Sequence, residues 1–181
     1  RTGIEIPPFA PGVSEDRRSL LLDADQAARR GDLAAAAVCY RKLLAFTPTD
    51  LTLLQRLGDA LARSGQDPEA RDVLLRLAEE YWRGGFRSRS LAVLRRASRL
   101  GGPQPDLLVL LGERTLELGH IADAREPLIE AATLRESAGD FPGAEVIFRQ
   151  VAESMPRDLV SRQSLLRLAQ RRNAPNSIVE A

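Results

Sequence analysis

The sequence predicts an all-α fold, a solenoid of antiparallel helix pairs with about nine helices. Two stretches, 51–104 and 105–158, overlay without a gap, and such a fixed period means that one supersecondary unit is copied along the chain. Composition supports this fold, because 44% of the residues are hydrophobic and only 4% aromatic, which suits closely packed helices with a core of Leu, Ala and Val. The residues that the two stretches share are small or apolar: Leu53 and Leu107, Leu54 and Leu108, Leu57 and Leu111, Gly58 and Gly112, Gly65 and Gly119, Ala70 and Ala124, Leu74 and Leu128, Ala78 and Ala132, and Gly85 and Gly139.

Helical periodicity and turn residues divide the chain into a leading arm, the solenoid and a tail. Residues 1–16 include three prolines and begin without a helical period, which predicts a Pro-rich linker or docking arm. Residues 173–181 lack periodicity and predict a flexible tail. The helices of the solenoid, 17–172, are predicted at about 17–30, 33–46, 50–63, 67–83, 87–100, 105–118, 122–137, 140–154 and 158–172.

Prolines and small residues refine these elements. Asp67 with Pro68 and Asp140 with Pro142 have the pattern of an N-cap followed by a first-turn proline, where the missing N–H costs nothing. Pro127 lies further inside its predicted helix, so that helix is expected to start late or to bend. Close helix crossings are predicted at Gly58, Gly65, Ala70, Gly112, Gly119 and Ala124.

A shorter pattern within the 54-residue unit carries a family resemblance. Counted from Leu51, positions 4, 7, 8, 11, 15, 20, 24 and 27 hold Leu54, Leu57, Gly58, Leu61, Gly65, Ala70, Leu74 and Leu77. These spacings resemble the tetratricopeptide repeat (TPR), whose 34-residue unit is a pair of antiparallel helices. The resemblance covers roughly residues 17–172 and implies a right-handed superhelix.

The pattern also starts again 20 residues later, from Arg71 and from Arg125, so that one helix serves two successive repeats. The unit is therefore a three-helix module. Tracts of this kind resemble those in large repeat proteins of high-GC bacteria such as myxobacteria, where they accompany motility, polarity and signalling modules. This resemblance implies a scaffold that works alongside such modules, and it does not identify a partner.

The TPR resemblance implies a concave groove lined by the first helix of each pair. An acidic row in it, Asp25, Asp59 and Glu113, would suit a partner that offers Arg, Lys or backbone N–H groups. The alternative is that Asp25 with Arg29 and Asp59 with Arg63 form i,i+4 pairs worth only about 0.3 to 0.5 kcal/mol each. Carried over by repeat position, the groove residues are Leu21, Asp25, Arg29, Gln55, Asp59, Arg63, Val109, Glu113 and Glu117.

Charge is uneven along a chain whose net charge is only +1. Residues 81–105 contain six arginines and no acid, whereas residues 106–153 contain ten acids and four arginines. Helical geometry places four of these arginines opposite the apolar positions of their helix, as an exposed basic stripe. The stripe is either a solvated face paired with neighbouring acids or a docking surface for an acidic protein. It consists of Arg89, Arg95, Arg96 and Arg99.

The chemistry-bearing residues favour a protein that is not an enzyme and has no metal or cofactor. His120 is the only histidine and falls in a predicted turn, and Cys39 is the only cysteine and suits a small buried hydrophobe. The lone cysteine and the lack of a long apolar run predict a cytoplasmic protein without membrane insertion. Nucleic acid is disfavoured as a partner, because no aromatic residues interleave with the arginines.

Two functions follow from the sequence. The first is a protein-interaction scaffold that binds a protein or peptide on its concave groove, in bacterial signalling, polarity or motility. The second is a self-assembly element, because the last predicted helix carries an apolar face with no successor to cover it. That face comprises Leu159, Val160, Leu165, Leu166, Leu168 and Ala169.

Overall fold

The computed structural model describes residues 11–173 of the chain, with side chains from 16 to 172. All regular structure in these residues is helical, so the predicted all-α fold is confirmed. The helices are α1 (Pro11–Arg29), α2 (Leu33–Phe46), α3 (Leu51–Arg63), α4 (Asp67–Arg83), α5 (Arg87–Ala97), α6 (Pro105–Glu117), α7 (Ile121–Ser137), α8 (Phe141–Ser154) and α9 (Leu159–Asn173).

These helices form two compact units. The first holds α1 to α5 and ends at Gly101, and the second begins at Gly102 and holds α6 to α9. Within each unit every helix packs against the helix that follows it in the chain, as in a solenoid of antiparallel helix pairs.

The observed bounds differ from the predicted ones mainly at the first helix. α1 starts at Pro11, six residues before the predicted position, because a proline is well accommodated in the first turn of a helix. Residues 11–16 are therefore helical rather than part of a linker. The rest of the predicted arm, 1–10, and the predicted tail after Asn173 lie outside the described residues.

Glycines in the left-handed conformation end five of the helices. At the end of α3 the N–H of Gln66 donates to the carbonyl of Leu61 at 3.0 Å, and the N–H of Gly65 donates to that of Ala62 at 3.3 Å. This is a Schellman motif, which satisfies the last carbonyls of a helix. Successive glycines are 34, 20, 34 and 20 residues apart, the two spacings of the predicted frames. They are Gly31, Gly65, Gly85, Gly119 and Gly139, with φ between 75° and 83°.

Two of the glycines predicted at close crossings do lie there. A Cβ on Gly58 would come within 2.8 Å of Leu74 Cδ2, and a Cβ on Gly112 within 2.5 Å of Leu128 Cγ. The prediction was wrong for Gly65 and Gly119, where a Cβ would meet nothing within 4 Å. These two are required by the backbone of the turn instead.

Small residues fill the remaining contact points of the helix pairs. Ala70 and Ala124, both predicted at crossings, are fully buried. Ser90 occupies a corresponding place in α5, where its hydroxyl donates to the carbonyl of Ala78 at 2.7 Å. α7 begins at Ile121 and continues through Pro127, so the expected late start is wrong.

Candidate functional site

The predicted groove residues belong to both units. In the first unit Leu21, Asp25 and Arg29 lie on α1, and Gln55, Asp59 and Arg63 lie on α3; all of them are exposed or half-buried. In the second unit Val109 is half-buried on α6, and Glu113 and Glu117 are exposed on the same helix.

The aspartates of the first unit are held by arginines of other helices. Asp25 Oδ1 accepts from Arg56 Nη1 at 2.8 Å, and Asp59 forms an ion pair with Arg96 of α5. The i,i+4 pairs given as the alternative, with Arg29 and Arg63, are therefore not the ones that form. Each pair joins two helices that are separated by one helix in the sequence. Their side chains are roughly 40% exposed, and such pairs contribute only about 0.2 to 1 kcal/mol each.

The same geometry brings the basic stripe against the groove. Because Arg96 pairs with Asp59, the stripe and the acidic row meet on one face of the first unit. Arg95 and Arg99 are exposed on either side of Arg96, and neither has a carboxylate partner among the described residues. Arg63 is likewise free and follows Asp59 by one helical turn.

Aromatic rings lie beside the first arginines of this region. Arg87 stacks over Trp82 with 4.1 Å from its Cζ to the ring centroid, and Arg89 lies over Phe86 at 5.3 Å. Tyr81 meets Phe86 edge to face at 6.1 Å. The expectation that no aromatics interleave with the arginines is therefore wrong. The sequence places Trp82 five residues before Arg87, and the turn between α4 and α5 brings the two side chains together.

A bidentate ion pair joins α2 and α4 in the first unit. Arg41 of α2 donates from Nε and Nη2 to both carboxylate oxygens of Glu69 on α4, at 2.7 and 2.6 Å. The hydrogen bond from Glu69 raises the pKa of Arg41 above its ordinary value. The pair has no local sequence signal, since 28 residues separate its partners.

The charged groove residues of the second unit are both acidic. Glu117 accepts from Arg114 at 3.5 Å, and Glu113 has no cationic partner among the described residues. The predicted acidic row therefore has one unpaired carboxylate, and it lies in the second unit.

The residues considered for other chemistry are exposed or isolated. His120 lies in the turn before α7 as predicted, and it is exposed. Cys39 is half-buried on α2. The described part of the chain has no group of three or more histidine, cysteine, aspartate or glutamate side chains placed to hold a metal ion. No helix within it is long and apolar enough to cross a bilayer.

The predicted assembly face on α9 is only partly exposed. Leu159 and Leu166 are 68% and 61% exposed, and Val160 is also exposed, whereas Leu168 is buried. At the 54-residue offset, Leu166 stands where α3 and α6 carry the glycines of their close crossings, and Arg162 stands where those helices carry a buried leucine. α9 therefore lacks the glycine and the buried leucine through which α3 and α6 pack against the helix that follows them.

Comparison with known proteins finds similarity among solved structures. MamA 41-end from Desulfovibrio magneticus RS-1 shares 16% identity and a TM-score of 0.41, covering 87% of this chain and 85% of its own. A tetratricopeptide repeat protein from Parabacteroides merdae ATCC 43184 has 19% identity and a TM-score of 0.32, over 86% of this chain and 73% of its own. TTC0263, a thermophilic TPR protein in Thermus thermophilus, has 21% identity and a TM-score of 0.30, over 85% of this chain and 99% of its own. No family model and no curated protein matches the sequence. Similarity at this level says nothing about partners.

Proposed function

We propose that this protein is a non-catalytic scaffold that binds a protein or peptide on the face shared by α1, α3 and α5. The observation that supports this most directly is the pairing of Asp25 with Arg56 and of Asp59 with Arg96. These pairs join α1 to α3 and α3 to α5 on an exposed face that is already formed before any partner arrives. A preformed surface gains affinity, because little ordering cost remains to be met on binding.

The partner that this face suits best is acidic. Its carboxylates are already paired, while Arg29, Arg63, Arg95 and Arg99 are exposed and have no carboxylate partner among the described residues. The first unit as a whole carries 17 lysines and arginines against 13 aspartates and glutamates over residues 1–101. Opposite charge speeds encounter and fixes the register of a complex. A basic partner for the acidic row is correspondingly less favoured in this unit.

The setting that we propose is bacterial signalling, polarity or motility in the cytoplasm, which rests on the resemblance of the repeat tract. Self-association is a second proposal, supported by the exposure of Leu159 and Leu166 on α9. Because α9 lacks the small residue of the close crossings, a second copy would have to pack there in some other geometry than that of successive repeats.

Charge reversal tests the scaffold proposal. Changing Arg63 and Arg99 to Glu should reduce capture of the native partner from a lysate of the source organism by about ten-fold or more, and raising the salt should weaken capture by the unchanged protein. Lys42→Glu is the matched control, because Lys42 is an exposed, unpaired cation on α2. Asp59→Lys is less suitable, since it also breaks the pair with Arg96.

Equal capture by the double variant, the control and the unchanged protein would place the binding surface elsewhere. Circular dichroism on each sample verifies that the helices remain intact. Light scattering at two protein concentrations, on the same preparations, separates partner binding from self-association.

A further inference from the structure

A concavity of about 660 Å³ opens at one corner of the second unit, between the start of α7 and the connection from α8 to α9. Its lining combines apolar side chains with two guanidinium groups, those of Arg125 and Arg157. Ile121, on its rim, is 48% exposed although it is a large hydrophobic residue, and Met155 is half-buried. None of the predicted groove or stripe residues lines this concavity.

The only carboxylate in the lining is already engaged. Asp158 caps α9 by accepting from the N–H of Ser161 at 2.8 Å, and it accepts from Arg125 Nε at 2.5 Å. Its side chain is only 5% exposed. Burial raises the pKa of Asp158, but the hydrogen bonds from Ser161 and Arg125 outweigh burial and hold the pKa below its usual range. Asp158 therefore stays an anion that orients Arg125.

Arg125 has binding capacity left over. Its side chain is 42% exposed, and Nη1 and Nη2 make no hydrogen bond within the described residues. Arg157 is exposed and likewise has no partner there. Two guanidinium groups beside apolar side chains form a site for an anion that carries hydrocarbon with it.

In the preceding copy of the repeat, the space that corresponds to this concavity is filled. Arg71, 54 residues before Arg125, is only 6% exposed and donates to the carbonyl of Leu100, at 3.2 Å from Nε. Asp67 accepts from the N–H of Gly101 at 3.1 Å. The chain itself therefore fills the space over Arg71, with a main-chain oxygen as the ligand of the guanidinium.

Two residues keep the second copy open. Gly101 approaches so closely that a Cβ there would lie 2.6 Å from Arg71 Nη2, and the equivalent residue in the second copy is Met155. Asp67, which holds the N–H of Gly101, is replaced by Ile121. The second copy thus lacks both the close approach and the acceptor for an N–H, and it has an apolar surface beside a guanidinium whose Nη groups make no hydrogen bond within the described residues.

We propose that this concavity binds a partner peptide that presents a carboxylate side chain next to an apolar one. The carboxylate lies on the free Nη groups of Arg125 and on Arg157, as the carbonyl of Leu100 lies on Arg71. The apolar side chain covers Ile121 and Met155. This site is independent of the face proposed for the scaffold, which belongs to the first unit.

A library of random heptapeptides displayed on phage, panned on the full chain, tests the proposal. The enriched sequences are expected to share an acidic residue adjacent to an apolar one. Synthetic peptides from that set are then measured by fluorescence anisotropy against Ile121→Asp and Arg157→Glu, each of which should lose at least about ten-fold in affinity through repulsion. Ile121→Asp restores the residue that the first copy carries at a helix start, where an acid is favourable, so the fold should persist.

Arg162→Glu is the matched control, because Arg162 is an exposed, unpaired arginine of α9 that does not line the concavity. It should change the affinity by less than about two-fold, and so should Arg63→Glu, which reports on the first unit. Absence of enrichment, enrichment of peptides without an acid, or equal binding by Ile121→Asp, Arg157→Glu and the unchanged chain would each overturn the proposal.

Discussion

Gly112→Ala tests whether the helix pair α6–α7 owes its packing to the absence of a side chain. A Cβ at this position would lie 2.5 and 2.6 Å from Leu128 Cγ and Cδ2. Leu128 is fully buried, so moving it aside would displace its neighbours in the core. Overpacking of this kind costs about 1 to 3 kcal/mol, while alanine gains about 1 kcal/mol of helix propensity over glycine. We expect a net loss of up to about 2 kcal/mol in the free energy of unfolding.

Urea unfolding followed by circular dichroism measures this change, and the thermal midpoint should fall by a few degrees. Gly58→Ala is a graded control, because its closest contact, Leu74 Cδ2, is longer at 2.8 Å and the expected loss is smaller. In a Leu128→Ala background, Gly112→Ala should become neutral or stabilising, since the obstruction is gone. A rise in the thermal midpoint for Gly112→Ala alone would refute the reasoning, because propensity would then be the only effect.

Two further changes probe the second unit. Ala124→Leu inserts bulk at a fully buried site and should cost about 1 to 3 kcal/mol in thermal unfolding, whereas Ala92→Leu, on the exposed face of α5, should cost little. Asp158→Asn removes a carboxylate whose pKa is lowered by the fold. The stability that this carboxylate gives the wild-type protein is present above the unfolded pKa of about 3.9, and it is lost as the pH falls through the folded pKa. The difference in thermal midpoint between wild type and this variant should therefore be constant from about pH 5 to 8 and shrink at about pH 3; an unchanged difference would contradict the assignment.

Local sequence rules were enough for the helices and for most of their starts. Eight of the nine predicted helices begin within one residue of the observed start, because caps, turn glycines and the apolar period act over a few residues. The exception, α1, begins with a proline that the composition of its segment had assigned to a linker. Gly65 and Gly119 were recognised as essential but given the wrong role, since periodicity alone cannot separate a crossing from a left-handed turn.

The candidate sites were less accessible from the sequence. Position in the repeat identified Asp25 and Asp59 as residues of one face, but not their partners, which lie 31 and 37 residues away. The concavity beside Arg125 has no local sequence signal. It becomes visible only when its contacts are compared with those of Arg71 in the preceding copy.

The sequence by itself determined the repeat and the helix pairs, because burial of leucine and alanine faces and the ending of helices at glycine follow from the residue and its near neighbours. The tertiary structure alone decided which charges are consumed and which remain free. The choice of Arg56 over Arg29 for Asp25 involves an exposed ion pair worth a fraction of a kcal/mol, so it depends on which side chains folding brings within reach rather than on any pattern along the chain.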